Sequence, residues 1–574
     1  MKYLLPIVCL INSICYGQFY FNTTFDIAVT PEVYASLEYD SSDSSLFILG
    51  NASGDHKPYV VKFDYYGNVT ASVIVENDHP GFFFSAGLMS SLCKDYFDFL
   101  LAAGFVSNGG GSSNGYVIKL NSNLDTVWTR ELGDLGKADP IRSLAITSDS
   151  NYVIAGATET YSPFASDQNY WLVKMDTSGN ILWQNNYGGS ETDYAICVDT
   201  MSDGGYILGG FTQSYGAGQN DIYVVKTDPN GNLDWEKWFG LSSYDSGAIK
   251  SLENEHVIVY GAYNYENPNT PGELASHAVA MELDENGDQV WFNEYSEFNL
   301  LDPNYYIFDE GFNSVQVVSD GYIFSGQTMD SLDGIPLGWA VKVDFSGNQI
   351  WSRTFRQRNS ANYFYDVLVL PDGDVIFSGF VWPEGSLSQD GWLVRTNCLG
   401  FDGSPLAAGT WHNAALNEVI LENDSERFGD GIIYWGDGDS TLFTEFDDTL
   451  LGHIYASPGN YDISLIVNAC NESDTIVINA DASVTGLSNP QVLKFAIFPN
   501  PAKDEVRIRY DINDLSELSY LKMYDLSGKL IYQEVIADQH NEIVLRLDQY
   551  DKGVYLVNIT TENGDNLTKK LVIN

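Results

Sequence analysis

The 574-residue sequence predicts an all-β protein whose larger part is a seven-bladed β-propeller. Two observations carry that expectation. A hairpin sentence, clearest at 222–238 (IYVVKTDPNGNLDWEKW), returns along the chain. Its anchors Lys62, Lys119, Lys174, Lys226, Glu282, Lys342 and Arg395 are spaced by 57, 55, 52, 56, 60 and 53 residues. Upstream of each anchor a glycine ends an apolar run: Gly50, Gly104, Gly156, Gly210, Gly261, Gly326 and Gly379. A third apolar run precedes each glycine, so every period reads as four short strands with tight turns and no helix. Four-stranded units repeated radially make a propeller.

Within the hairpin, Pro229 pre-sets φ for a type I turn and Gly231 takes the left-handed position that closes it. The repeated Asp-x-x-Gly-Asn turns invite a calcium reading. Asp and Asn side chains that cap the turn's own backbone explain them more simply. The repeated Trp (Trp183, Trp235, Trp291, Trp351) reads as a core residue, because it recurs at one position in repeat after repeat. Polar loops are expected between the second and third strands, notably over 161–169 and 264–276.

The last repeat leaves the pattern near Asp402 without a Trp strand, while 19–25 stands in excess before the first repeat. That surplus strand is expected to pair antiparallel with the third strand of blade seven, near 391–397. Closing the ring this way removes an exposed sheet edge.

Composition narrows the setting. With 28 basic and 78 acidic residues the formal charge is −50, which excludes nucleic acid as a partner because its phosphates would be repelled. Residues 1–17 read as a secretory signal with a basic start at Lys2, an apolar run and cleavage between Gly17 and Gln18. No later stretch is long and apolar enough for a membrane-spanning helix. Cys93 and Cys197 fall in non-neighbouring blades and read as buried small hydrophobes. Cys398 and Cys470 bracket the next domain and either pair in an oxidising compartment or stand free.

After about Gly403 the repeat stops, and Tyr434-Trp435-Gly436-Asp437-Gly438 is followed by His453-Ile454-Tyr455-Ala456-Ser457-Pro458-Gly459-Asn460-Tyr461. These segments resemble the PKD domain, which implies an immunoglobulin-like β-sandwich over 404–485. His453 is expected to be packed and hydrogen-bonded. Asp437 and Asp439 fall short of the six to eight oxygens that calcium takes.

Residues 491–574 hold 10 basic and 13 acidic residues against 18 and 65 before them, which marks a module of different character. Its motifs are Pro499-Asn500-Pro501 after Phe498, then Asp525 to Gly528 and Lys529, then Gly553-Val554-Tyr555, ending on Lys569-Lys570-Leu571-Val572-Ile573-Asn574. This resembles the type A C-terminal sorting domain of type IX secretion cargo. The resemblance implies a small β-sandwich, recognition by the outer-membrane translocon, and cleavage by its sorting peptidase. It further implies release or attachment to lipopolysaccharide.

Chemistry is sparse. The seven histidines are scattered without metal spacing, no phosphate-cradling glycine loop occurs, and no catalytic set stands out. The expectation is a non-catalytic surface or secreted binding protein, without cofactor, for an extracellular glycan or protein. The alternative is a secreted carbohydrate-active hydrolase or lyase with carboxylates at the propeller axis. Departures between blades lie mainly in loop length, which weighs against the enzyme.

Overall fold

The structure is a computed structural model. It describes residues 20–25, 32–52, 57–75, 83–86, 90–107, 112–134, 136–163, 167–266, 274–297, 310–330, 334–357, 360–382, 389–415, 417–447, 449–483, 493–498, 505–512, 519–525, 529–536, 540–547, 549–550, 552–561 and 566–573. Among these, every regular element is a strand, and no helix is long and apolar enough to cross a membrane.

From Phe21 to Thr396 the described strands form seven sheets, antiparallel but for the short parallel pairing of Ala138–Asp139 with Ser113–Leu120, and all but the seventh are built from consecutive segments. The third is typical: Ile141–Ile146, Tyr152–Thr158, Asn169–Met175 and Ile181–Tyr187 pair in chain order. Its middle strands are buried on both faces, whereas the fourth has its leading residues in solvent. The second sheet is irregular, because Phe83–Ala86 and Leu92–Lys94 share the edge of Leu100–Ser107. In the fifth, the strands run on to Glu266 and resume at Leu274, so both ends of the loop expected over 264–276 are paired strand, while 267–273 lie outside the described residues. The seventh sheet takes its fourth strand from the N-terminus: Phe21–Phe25 pairs antiparallel with Asp390–Thr396, from Phe21 opposite Arg395 to Phe25 opposite Gly391.

First strands of successive sheets pack on one another, and that of the seventh, Asn362–Val369, packs on that of the first, Glu32–Asp40. The arrangement is propeller-like, with a cyclic order of contacts.

Three repeated devices hold it. First, each anchor side chain is paired with a partner in or beside the turn between the first two strands of its own sheet. Lys62–Asp43, Lys119–Asp95, Lys174–Asp149, Lys226–Asp203, Lys342–Asp320 and Arg395–Asp374 lie between 2.5 and 3.1 Å. In the fifth sheet the polarity is exchanged, with His256 Nδ1 2.6 Å from Glu282 Oε1. Second, the turn acids satisfy their own backbone. Asp228 Oδ1 accepts the amides of Asn230 and Asn232 at 2.8 and 2.9 Å, and Gly231 stands at φ +77°.

Third, the repeated Trp lays its ring on the turn glycine of the next sheet: Trp183 on Gly231, Trp235 on Gly287, Trp291 on Gly347 and Trp351 on Gly400. The first three are half-buried at the margin of the core, whereas Trp351 is buried within it. A Cβ on Gly231 would lie 2.7 Å from the Trp183 ring, so glycine serves close packing as well as positive φ. Phe21 takes the same place on Gly67. The expected core residue is thus fully buried only at Trp351, and in every copy it is also a contact between repeats.

Beyond Thr396 come two further pairs of sheets. Gly409–Ala415, Glu418–Asn423 and Leu450–Ile454 face Ser440–Thr444, Asp430–Tyr434, Asn460–Ala469 and Glu472–Asp481 across a core that includes Trp435, Tyr455, Ile463 and Leu465. Cys398 and Cys470 are disulfide-bonded, and Arg353 donates from Nη2 to both carboxylate oxygens of Glu445 at 3.1 and 3.0 Å. These contacts, with Tyr20 Oη donating to Glu472 at 3.0 Å, dock the unit on the sixth and seventh sheets. The last unit packs Leu493–Phe498, Glu505–Ile512 and His540–Arg546 against Leu530–Ile536, Ser519–Asp525, Gly553–Thr561 and Asn566–Ile573 around a core of its own.

Candidate functional site

The glycine marks and the first strands make one device. In five of the seven sheets the register of the first strand shifts beside the glycine, leaving Ala35, Arg142, Ile196, Asn313 and Tyr365 as extra residues. A bulge of this kind re-aims a side chain and brings the two backbones close. A Cβ at Gly156, Gly210, Gly326 or Gly379 would lie 1.8–2.0 Å from a carbonyl oxygen of the first strand, so only glycine fits. The residue after each glycine (Phe105, Phe211, Gln327 and Phe380 among them) stands beside the bulged positions.

What gathers there differs from sheet to sheet. The Arg142 guanidinium lies 4.7 Å from the Phe105 ring centroid and 5.6 Å from that of Tyr194, and its Nε donates to Tyr194 Oη at 3.1 Å. Tyr194 is stacked on Phe211 at 5.7 Å. On the sixth and seventh sheets, Asn313 Nδ2 donates to Gln327 Oε1 and to the Phe364 carbonyl, both at 2.8 Å. Tyr363 stacks on Phe380 at 5.0 Å, and Tyr365 leans on the same ring at 5.6 Å. Departures between repeats thus occur at the inner strands as well as in loop length.

Buried acids or amides at the start of the first strand, three residues before the bulge where there is one, frame this end. Asp139 accepts from Thr158 Oγ1 at 2.6 Å and from the Glu159 and Thr160 amides at 3.1 and 3.0 Å. Asp193 holds the Gly189 amide and Ser214 Oγ, Asp245 the Leu241 and Asn264 amides, and Glu310 the Glu297 amide and Thr328 Oγ1. Burial raises the carboxyls of Asp193, Asp245 and Glu310, while these hydrogen bonds pull them back. Each acid ties two neighbouring loops to one strand. Sequence reading missed them, although an acid or Asn stands sixteen to eighteen residues before six of the seven glycines.

Inside the same strands lies a belt of contacts between sheets. Ser143 Oγ accepts the Val198 amide at 3.2 Å, Cys197 Sγ the Ile249 amide at 3.1 Å, and Asp366 Oδ2 the Leu37 amide at 2.7 Å. Asp366 also accepts from Ser314 Oγ at 2.6 Å, so its carboxylate bridges three sheets; burial pushes it up to about 6. Three residues beyond the bulge, the half-buried Glu38 is pushed up to about 7, chiefly by burial. Cys197 and Cys93 are free thiols, each raised by burial.

In the next unit Asp437, Asp439 and His453 bring ligand atoms within 4.8 Å of one another. His453 Nε2 lies 2.7 Å from Asp437 Oδ2, and its ring stacks on Trp435 at 4.9 Å and meets Tyr455 edge-on. Packing and a carboxylate partner account for this histidine.

Of the sorting motif residues, Asp525 ends a strand and its Oδ1 accepts the Lys529 amide at 3.0 Å. Gly553 opens the next central strand and Tyr555 is buried in it. Pro499, Asn500, Pro501 and Gly528, with Gly17 and Gln18 at the expected signal cleavage, lie outside the described residues. Residues 496–574 match the secretion system C-terminal sorting domain family. The C-terminal unit is a type IX sorting domain. Through it the chain engages the type IX secretion machinery and is secreted or displayed at the cell surface.

Other likenesses are faint. The chain is 22% identical over 111 residues to "Ulvan lyase NLR42" of Nonlabens ulvanivorans, 19% of this chain and 20% of that protein. The chain thus spans about a fifth of the curated relative it matches. Among solved structures, polysaccharide lyase Uly1 is 10% identical at a TM-score of 0.38, over 68% of this chain and 94% of that one. The β-propeller domain of the trilobed protease from Pyrococcus furiosus is 11% identical at 0.35, over 64% and 95%.

Proposed function

We propose that the seven sheets form a seven-bladed β-propeller closed by the N-terminal strand, and that it serves as a non-catalytic binding module. In this reading residues 404–485 are a PKD-like spacer. The type IX machinery delivers the chain, and the sorting peptidase then releases it or joins it to lipopolysaccharide. One observation carries the proposal: nearly every repeated side chain is spent on holding repeats together, yet the bulged residue differs in each of the five sheets that carry one, as Ala35, Arg142, Ile196, Asn313 and Tyr365. Half-buried aromatic rings with a few convergent polar groups are what a ligand site requires. Screening the full chain against arrays of glycans and of extracellular proteins is expected to give retention that falls when Arg142 and Tyr194 are replaced. Retention unaffected by both changes would move the site elsewhere.

A second reading is a carbohydrate-active lyase or hydrolase. Glu38 supports it, because a half-buried carboxyl raised towards neutrality is suited to proton transfer, as does the faint likeness to an ulvan lyase. Turnover of a polysaccharide that disappears in Glu38→Gln would favour this reading over pure binding.

A further inference from the structure

We infer that the mouth around Arg142 binds an anionic saccharide, through a carboxylate or sulfate on the sugar; this rests on the binding reading above. The first ground is how this chain uses its cations. All six basic anchors of the repeats are engaged by a carboxylate, as are Lys94, Lys137, Lys237, Lys250 and Arg356. Acidic residues outnumber basic ones 78 to 28, so a partner is at hand almost anywhere. Arg142 has none among the described residues. Its Nε donates to Tyr194 Oη, and its terminal nitrogens have no hydrogen-bond partner among the described residues. Arg130, also without a carboxylate, instead places Nη1 and Nη2 on the carbonyls of Thr129 and Ser178 at 2.8 and 2.9 Å.

The second ground is preorganisation. Phe105 and Tyr194 fix the plane of the Arg142 guanidinium, so its two free nitrogens keep the fork that matches a carboxylate or sulfate. The bulge at Arg142 and the steric need for Gly156 hold the backbone beneath it.

The third ground separates a sugar from an acidic peptide. Peptides are read by adding a strand to a free sheet edge or by filling an apolar groove. The open outer edges of the sheets lie on fourth strands such as Ile181–Tyr187 and Leu233–Phe239, whereas at this mouth the first strands pack on one another in cyclic order. What is offered is the half-buried rings of Tyr194 and Phe211 and, on the seventh sheet, of Tyr363 and Tyr365, which cover the buried Phe380, with the Asn313 and Gln327 amides. Flat apolar ring faces beside amides suit a pyranose, which presents apolar C–H faces and a rim of hydroxyls.

The test uses the immobilised full chain with polygalacturonate, its methyl-esterified form and polyglutamate as probes. Polygalacturonate is expected to be retained at least tenfold more tightly than its ester. Arg142→Gln should abolish that difference, whereas Arg130→Gln should preserve it. Should Arg142→Gln fail to fold, Tyr194→Phe keeps the ring and removes the hydroxyl that orients Nε, and is expected to weaken polygalacturonate several-fold while leaving the ester unchanged. Equal retention of acid and ester would overturn the inference but leave the binding reading standing. Retention of polyglutamate as tight as that of polygalacturonate would overturn the saccharide class. No retention of these probes, of any array glycan or of any arrayed extracellular protein would bring down both.

Discussion

At the scale of single residues, the repeated Trp shows how one position can be read rightly as structural and only in part rightly as core. Trp235 is half-buried, its ring on Gly287 and its Nε1 donating to the Glu285 carbonyl at 3.0 Å. Its truncation leaves a shallow gap open to water instead of a sealed cavity, so Trp235→Ala is expected to cost about 1.5–3 kcal/mol, below the range for a fully buried Trp. Denaturant unfolding of the full chain reads this; a loss under ~0.5 kcal/mol would mean the stacking contributes nothing. Glu38 and Asp366 give a pH dependence. Both carboxyls are raised in the fold, to about 7 and about 6, against unfolded values near 4. Between those limits the folded state binds more protons than the unfolded one, so stability falls as pH rises from about 4 to about 7. The turn acids Asp64, Asp176, Asp228 and Asp344 are lowered by their hydrogen bonds, and their contribution is lost at still lower pH. A maximum of Tm near pH 4 is expected, and Glu38→Gln should flatten the decline between about pH 4 and 7. An unchanged slope would show that Glu38 ionises at its ordinary value.

At the scale of elements, the seam of the ring is the instructive case. The N-terminal strand is held by five paired residues, by Trp392 Nε1 donating to Asn22 Oδ1 at 2.8 Å, by Phe21 on Gly67 and by Tyr20 on Glu472. Beside it Arg395, wholly buried, donates to Asp374, Asp372 and the Tyr65 carbonyl at 2.8–3.0 Å. Removing residues 18–26 would bare the edge of Asp390–Thr396 and leave Trp392 Nε1 and Gly67 without their partners. The expected result is association at micromolar concentration and a broadened, less cooperative transition, seen by light scattering and calorimetry. A monomer with an unaltered transition would show that the strand is dispensable.

On the scale of the whole molecule, charge and cargo logic meet. The acidic surplus lies in the first 490 residues, while the sorting unit, with 10 basic and 13 acidic residues, is nearly balanced. The sorting unit has its own core and is joined through 484–492, so it can be removed without opening the rest. Deleting 491–574 is expected to retain the protein in the periplasm, with fractionation and immunoblotting of the medium, surface and periplasm as the measurement. Surface or medium levels equal to the full chain would mean that export uses another determinant.

The sequence by itself determined the strand class, the period, the turn chemistry of Asp228 to Gly231, the surplus strand at 19–25 and the C-terminal sorting unit. Each is written in contiguous residues, where propensity, φ and spacing act locally. Tertiary structure decided the rest, because the partners stand a full repeat or more apart. Nothing near Trp235 names Gly287, and nothing near Gly156 shows that the carbonyl of Pro140 crosses above it. Asp366 gives no local hint that it binds the Leu37 amide 329 positions away. Arg142 stands out only once every other repeated cation has found its carboxylate, and that is a property of the folded surface alone.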